Sequence, residues 1–147
     1  MRIWVDADAC PVKGEVLEAA KAFSLPVTMV CDTSHELRGY PCEVLTVDRH
    51  SDSSDLAIIN RAERGDVLVT QDFGLAALAL GKGLYAMRQD GMEYTPENID
   101  ELLFTRSLSG KLRRAGRRTG GPKKRSREED RRFAEGFTAL LRRVTTE

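Results

Sequence analysis

The sequence predicts an α/β fold, a three-layer sandwich around a mostly parallel central sheet, with a C-terminal helical extension. Three observations carry this. Short apolar runs alternate with stretches of helical periodicity at the spacing of βα units. The run from Asp66 to Thr70 (DVLVT) is apolar on consecutive positions, as a strand covered on both faces must be. A last amphipathic stretch carries Phe133, Phe137, Leu140, Leu141 and Val144 on one face, so the tail should dock onto the body.

Arg2 to Asp6 (RIWVD) opens the chain as a β-rich run. The turn Ala7 to Cys10 follows, and Pro11 suits the first position of a helix, in which Val12, Val16, Leu17, Ala20 and Phe23 recur at helical spacing before Ser24 to Pro26 end it. Val27 to Cys31 (VTMVC) and Glu43 to Val47 (EVLTV) read as the second and third strands, separated by a polar loop. After the loop Asp48 to Ser54, Asp55 opens a helix through Leu56, Ile59 and Ala62 that ends with Gly65 as its C′ residue. The fourth strand, Asp66 to Thr70, leads into a helix from Phe73 to Gly81, and Leu84 to Met87 makes a fifth strand. Thr95-Pro96-Glu97 starts a helix to about Arg106, resuming towards Arg114. Ser126 and Glu129 form a capping box for a helix to about Val144.

The 147 residues suit one domain able to bury roughly 70% of its unfolded surface. Formal charge is zero, 23 basic against 23 acidic residues, yet this is a cancellation. Residues 1–100 hold 9 Lys/Arg and 17 Asp/Glu, while residues 101–147 hold 14 and 6, giving −8 and +8. The expected organisation is an α/β core over 1–100 and a basic helical extension over 101–147, packed on the same domain. The longest apolar stretches, Ile3 to Val5 near the terminus and Phe73 to Leu80 inside, are too short for a signal peptide or a membrane span, so a soluble cytoplasmic protein with no membrane partner is expected. Cys10, Cys31 and Cys42 are an odd count without CxxC spacing, which disfavours a disulfide framework or a zinc knuckle.

In open α/β sheets, sites form outside the carboxyl ends of the strands. There this chain is acidic. Asp6 and Asp8 follow the first strand, Asp52 and Asp55 lie between the third strand and its helix, and Asp72 follows the fourth. Converging carboxylates repel one another unless a cation lies between them, and an all-oxygen set selects Mg²⁺ or Mn²⁺. Such a site suits phosphoryl chemistry. Local roles compete with this reading, since Asp is common in turns and caps; Asp55 could simply cap its helix, and Asp48 and Asp66 are read as local turn or cap residues.

Two resemblances follow. VDADAC (Val5 to Cys10) resembles the DxD after the first strand of haloacid-dehalogenase-type phosphatases, with Val67 to Thr70 similar to their second motif. That would make Asp6 a nucleophile and Asp8 a general acid, with Lys82 and Asp90 supplying the rest. The placement of the acids is closer to that of PIN-like nuclease domains. WVDADACPV at Trp4 to Val12, Asp52-Ser-Ser-Asp55, GDVLVTQDFGLAA at Gly65 to Ala77, YTPENI at Tyr94 to Ile99 and TGGP at Thr119 to Pro122 together resemble the bacterial YaiI/YqxD family, from residue 1 to about 137. The resemblance implies a PIN-like fold and an acidic site of Asp6, Asp8, Asp52, Asp55 and Asp72. The chain departs from the family pattern at Gly74, at Lys123 to Arg125, and at Glu129 and Asp130.

Arg106 to Arg127 holds ten Lys/Arg and no Asp/Glu, interrupted by glycines, and reads as a basic loop between two helices. Lys111, Arg113, Arg114, Arg117, Arg118, Lys123, Lys124 and Arg125 could hold a phosphate backbone. Alternatively they are solvated or pair with the acidic body. Near the acids, Cys10 precedes a helix N-terminus that could lower its pKa, and Ser34, Thr70 and Gln71 could touch a substrate or a metal-held water. The expected function is a nuclease using Mg²⁺ or Mn²⁺ at Asp6, Asp8, Asp55 and Asp72, with RNA favoured over DNA. Its rivals are a non-catalytic RNA-binding or adaptor protein, and the phosphatase using Asp6.

Overall fold

Six strands form one sheet in a computed structural model that describes residues 1–8, 10–32, 40–48, 53–114 and 125–146, the side chains of 53 and 106–114 excepted. The strands are β1 (Ile3–Asp6), β2 (Val27–Asp32), β3 (Glu43–Val47), β4 (Val67–Val69), β5 (Tyr85–Met87) and β6 (Glu93–Tyr94), ordered β3-β2-β1-β4-β5-β6. All neighbours pair in parallel except β6, which runs antiparallel to β5. The helices are α1 (Lys13–Ala22), α2 (Ser53–Arg61), α3 (Phe73–Lys82), α4 (Pro96–Arg114) and α5 (Arg127–Thr145). The expected α/β sandwich is therefore present.

Side-chain alternation along each strand divides the core into two layers. Ile3 and Val5 of β1, Met29 of β2 and Val67 and Val69 of β4 face α1 and α5, meeting Val12, Val16, Phe133, Phe137 and Leu141. Trp4, Val30, Leu68 and Ala86 face the other way, towards Ile58 of α2, Leu75 and Ala79 of α3 and Ile99 of α4. The apolar face expected on the last helix is fully used, with Phe133, Phe137, Leu140, Leu141 and Val144 all buried. Phe133 and Phe137, one turn apart, stack with ring centroids 5.1 Å apart. Among the described residues, no helix is long and apolar enough to cross a membrane.

Several helix ends differ from expectation. Pro11 lies in the turn before α1, whose N-cap Val12 supplies no side-chain bond. Helix α2 starts at Ser53 and stops at Arg61, so Gly65 is not its C′ residue. Gly65, at φ +92°, instead belongs to the turn entering β4, donating its N–H to the Gly83 carbonyl at 3.0 Å. Helix α4 runs unbroken to Arg114, so the first part of the basic stretch is helical rather than loop. The cap at Thr95 is a reciprocal box, whereas at Ser126 only the bond from the Glu129 backbone is formed. Thr95 Oγ1 accepts from the Asn98 N–H at 3.1 Å, while Asn98 Oδ1 accepts from the Thr95 N–H at 2.8 Å; Ser126 Oγ accepts from the Glu129 N–H at 3.3 Å.

Asp66 is more than a local turn residue. Its carboxylate accepts from Arg2 N–H at 3.0 Å, Trp4 Nε1 at 3.0 Å and Glu63 N–H at 2.9 Å, tying the start of β1 to the start of β4. Gly91 performs a comparable tie on the other side. Its φ is +91°, and a Cβ there would lie 2.6 Å from the Arg132 carbonyl, so only glycine lets the turn after β5 meet the backbone of α5.

Candidate functional site

The strand order reverses between β1 and β4, the position at which open α/β sheets form a crevice beyond their carboxyl ends. Pairing of Trp4 with Leu68 fixes what meets there, because two residues further on Asp6 and Thr70 point to the same face. Thr70 is fully buried and its Oγ1 donates to Asp6 Oδ2 at 2.9 Å. The same oxygen accepts from the Asp72 N–H at 2.9 Å. One hydroxyl thus sets the end of β1 against the start of α3. Asp72 is the N-cap of α3, its Oδ1 accepting from Gly74 N–H at 2.8 Å and Leu75 N–H at 3.2 Å. The capping role anticipated for Asp55 belongs to Asp72, while Asp55 sits in the first turn of α2.

Asp6 reports the electrostatics. Burial pushes its carboxyl up to about 6, and the negative charges of Asp55, Asp8 and Asp72 push the same way against the Thr70 hydrogen bond. Three other predicted acids therefore act on a single carboxyl from three different elements. Asp8 is steadied across the sheet, accepting from the Asp32 N–H at 3.2 Å on Oδ2 and 3.4 Å on Oδ1.

Among the described residues, no group of three or more His, Cys, Asp or Glu could hold a metal ion by themselves. The oxygen chemistry nevertheless fits Mg²⁺ or Mn²⁺, because Mg²⁺ keeps several waters and is commonly held by one or two carboxylates. An added positive charge would also relieve the repulsion felt at Asp6.

The remaining predicted residues divide by position. Cys10 is buried beside this crevice, and burial pushes its thiol pKa up rather than down; Lys13 and Arg125 oppose that shift and Asp6 adds to it. Lys13, which spends its Nζ on the Cys10 carbonyl at 2.6 Å, is the nearer cation in sequence. Arg125 is engaged within the fold, donating from Nε to Asp130 Oδ1 and from Nη2 to the Gln89 carbonyl, both at 2.5 Å. Gln71 is exposed at the mouth of a cavity of about 430 Å³, whose wall also includes Phe73, Arg88, Asp90, Arg125 and Glu129. Lys111, Arg113 and Arg114 lie on the last turns of α4. Asp52, Ser34, Arg117, Arg118, Lys123 and Lys124 lie outside the described residues.

Sequence reasoning missed Asp32, although it ends β2 at the edge where sites were sought. It also gave Arg88 no role, and Asp90 one only under the phosphatase resemblance. Arg88 grips Asp90 through Nε at 3.0 Å and Nη2 at 2.6 Å, and the buried Tyr94 hydroxyl donates to the Thr70 carbonyl at 3.1 Å. Burial drives the Tyr94 pKa upward, with Asp90 and Asp72 adding to the rise and Arg88 opposing it, so these groups share one field with the crevice. A cleft of about 610 Å³, bordered by Leu17, Leu25, Pro26 and Cys42, opens beside α1 near the start of β2, away from the acids.

Comparison with known proteins gives one consistent result. Residues 4–143 match the model of the family described as "Uncharacterized BCR, YaiI/YqxD family". The chain is 49% identical over 142 residues to a UPF0178 protein of Ruminiclostridium cellulolyticum, covering 97% of this chain and 93% of that one. It is 46% identical over 145 residues to the UPF0178 protein of Exiguobacterium sibiricum, covering 99% of each. With the UPF0178 protein of Clostridium tetani it shares 45% identity over 141 residues, 96% of this chain and 97% of the relative. No solved structure matches the chain.

Proposed function

We propose that this protein, which belongs to the YaiI/YqxD family, is a divalent-metal-dependent nuclease that hydrolyses phosphodiester bonds, of RNA in preference to DNA, at the crevice of Asp6, Asp8, Asp55 and Asp72. The observation that carries the reading is the convergence of Asp8, Asp55 and Asp72 on the half-buried Asp6 carboxyl, whose pKa is raised first by burial and further by their charges. Acids gathered at a strand-order reversal raise the Asp6 pKa beyond what its burial does, and perturbed groups of this kind concentrate at functional sites. Asp6, Asp8, Asp55 and Asp72 would hold Mg²⁺ or Mn²⁺, with Asp52 beside them in sequence. When bound, the ion supplies Lewis-acid polarisation of a phosphate oxygen and a lower pKa for an attacking water.

The chain's own residues do the positioning. Thr70 holds Asp6 in place and fixes the Asp72 backbone. The cap of α3 holds Asp72 Oδ1 on the backbone N–H groups of Gly74 and Leu75. The basic run from Arg106 to Arg127 supplies the cations for a phosphate backbone. The phosphatase alternative is less well served. Lys82 donates to the Ile59 carbonyl at the far end of α3, roughly 15 Å along the helix from Asp72, and Asp90 is taken up by Arg88.

The test is cleavage of a single-stranded RNA and the matching DNA with Mg²⁺ or Mn²⁺, comparing wild type with Asp6→Asn and Asp72→Asn. Metal-dependent product that falls at least about a hundredfold in Asp6→Asn is expected. Equal product from all three proteins would remove the nuclease reading. The second reading, an RNA-binding adaptor without catalysis, draws on the lack of a three-ligand metal group among the described residues and predicts RNA binding with no product.

A further inference from the structure

The cavity of about 430 Å³ beside Asp72 is not required by the acidic centre, and its wall is chemically specific. Gln71 and Phe73, which line it, flank Asp72 in sequence, and Arg88, Asp90, Arg125 and Glu129 join them among the described residues. Two guanidiniums suggest an anion site at first sight. The pairing argues otherwise: Arg88 is neutralised by Asp90 at 2.6 Å, and Arg125 by Asp130 at 2.5 Å with Glu129 at 3.9 Å. A phosphate brought here would meet compensated cations and two carboxylates of the wall. A neutral group with both donors and acceptors would meet complementary partners.

Spare bonding capacity on the wall is of two kinds. Arg88 uses Nε and Nη2 on Asp90, which leaves the Nη1 donors. Among the described residues, the Glu129 carboxylate has only long contacts, Ser126 Oγ at 3.5 Å and Arg125 Nη1 at 3.9 Å. An amide on Gln71 adds one donor group and one acceptor. Phe73 supplies an aromatic surface, its ring set by Tyr94 at a centroid distance of 6.2 Å and an interplanar angle of 65°.

We propose that this cavity is a nucleobase subsite selective for guanine, formed by Phe73, Arg88 and Glu129 beside Asp72. Guanine presents O6 and N7 as adjacent acceptors, which suit a guanidinium, and N1–H with N2–H₂ as adjacent donors, which suit a carboxylate. Adenine lacks the donor pair, and cytosine and uracil lack the combination. The Phe73 ring provides stacking, which all bases share, so selectivity rests on the polar pair. That the bound guanine belongs to the strand being cut rests on the nuclease reading; recognition of the base does not.

The experiment is calorimetric titration of the full-length protein, without added metal, with the 5′-monophosphates of guanosine, adenosine, cytidine and uridine. Guanosine monophosphate is expected to bind at least about tenfold more tightly than the others. Glu129→Gln is expected to abolish that preference while the protein stays folded, because the α5 cap uses the backbone N–H of residue 129. Arg88→Met should weaken guanosine monophosphate by a similar factor. Equal binding of all four nucleotides would mean recognition by features they share, the phosphate or stacking, and would overturn the proposal, as would no binding, or a guanine preference that survives Glu129→Gln. Because no cleavage is read, loss of the nuclease reading leaves the result standing, and an active nuclease with no guanine preference refutes only the subsite.

Discussion

Thr70 joins Asp6 to Asp72: its hydroxyl donates to the Asp6 carboxylate at 2.9 Å and accepts the Asp72 N–H at the same distance. Thr70→Val preserves shape and removes both bonds, leaving a backbone N–H without its acceptor. A loss of about 1–3 kcal/mol is expected in urea denaturation at pH 7, largely restored in Thr70→Ser. The Asp6 pKa should also climb further in Thr70→Val, since the hydroxyl is the contact that lowers it. An unchanged urea midpoint would show that the bridge contributes nothing.

Asp6 makes stability depend on pH in a particular direction. Its folded pKa lies at about 6 against an ordinary 3.8, so the folded protein holds this proton more tightly than the unfolded chain. The associated stabilisation is complete below the ordinary value and is lost as pH rises through about 6. Above that, ionised Asp6 costs the metal-free fold on the order of 3 kcal/mol. Asp6→Asn should therefore be more stable than wild type at pH 7.5 and indistinguishable from it at pH 4. A pH-independent difference in chemical denaturation would contradict this origin.

Asp66 is the acid whose loss should cost most in structure alone. Three donors converge on it, including the indole N–H of the buried Trp4, and Asp66→Ala strands them. The expected loss is about 2–4 kcal/mol, read from thermal or urea unfolding. Trp4 fluorescence should move with it. A variant with wild-type stability would mean that water replaces all three bonds.

Gly91→Ala and Gly14→Ala form a contrasting pair. At Gly91 an added methyl meets the Arg132 carbonyl at 2.6 Å and φ is +91°, so the turn or α5 must shift, at a cost of about 2–4 kcal/mol. At Gly14 in α1 nothing lies within 4 Å, and alanine should stabilise by about 0.5–1 kcal/mol. Opposite signs in thermal unfolding are the expected outcome.

Much of the fold is legible from local pattern. Glu43–Val47 coincides with the predicted strand, and the capping signals at Thr95 and Ser126 start helices where they were expected, because a cap is a contact within four residues. β6 was not anticipated: two residues leave no period to read, and Glu93–Tyr94 is a strand only because β5 lies beside it. The acids at the strand ends were visible as candidates, but their division of labour was not. Asp72 became a cap through Gly74 and Leu75, two and three residues on, whereas Asp66 became a tie to Arg2, 64 residues away, which no local pattern encodes. Arg88 and Glu129 were passed over because a cavity wall assembled from β5 and α5 has no signature in either segment.

Helix α5 follows every strand in the chain, yet it supplies five buried side chains to the layer that covers Val5, Met29 and Val69. During synthesis, one face of the sheet must wait for these residues while the opposite face, closed by α2, α3 and α4, already has its partners. A nascent chain that has emerged only as far as α4 presents a half-covered sheet, the kind of surface that chaperones bind and proteases sample. The order of elements along the polypeptide thus makes the last helix the step that commits the molecule to its native state.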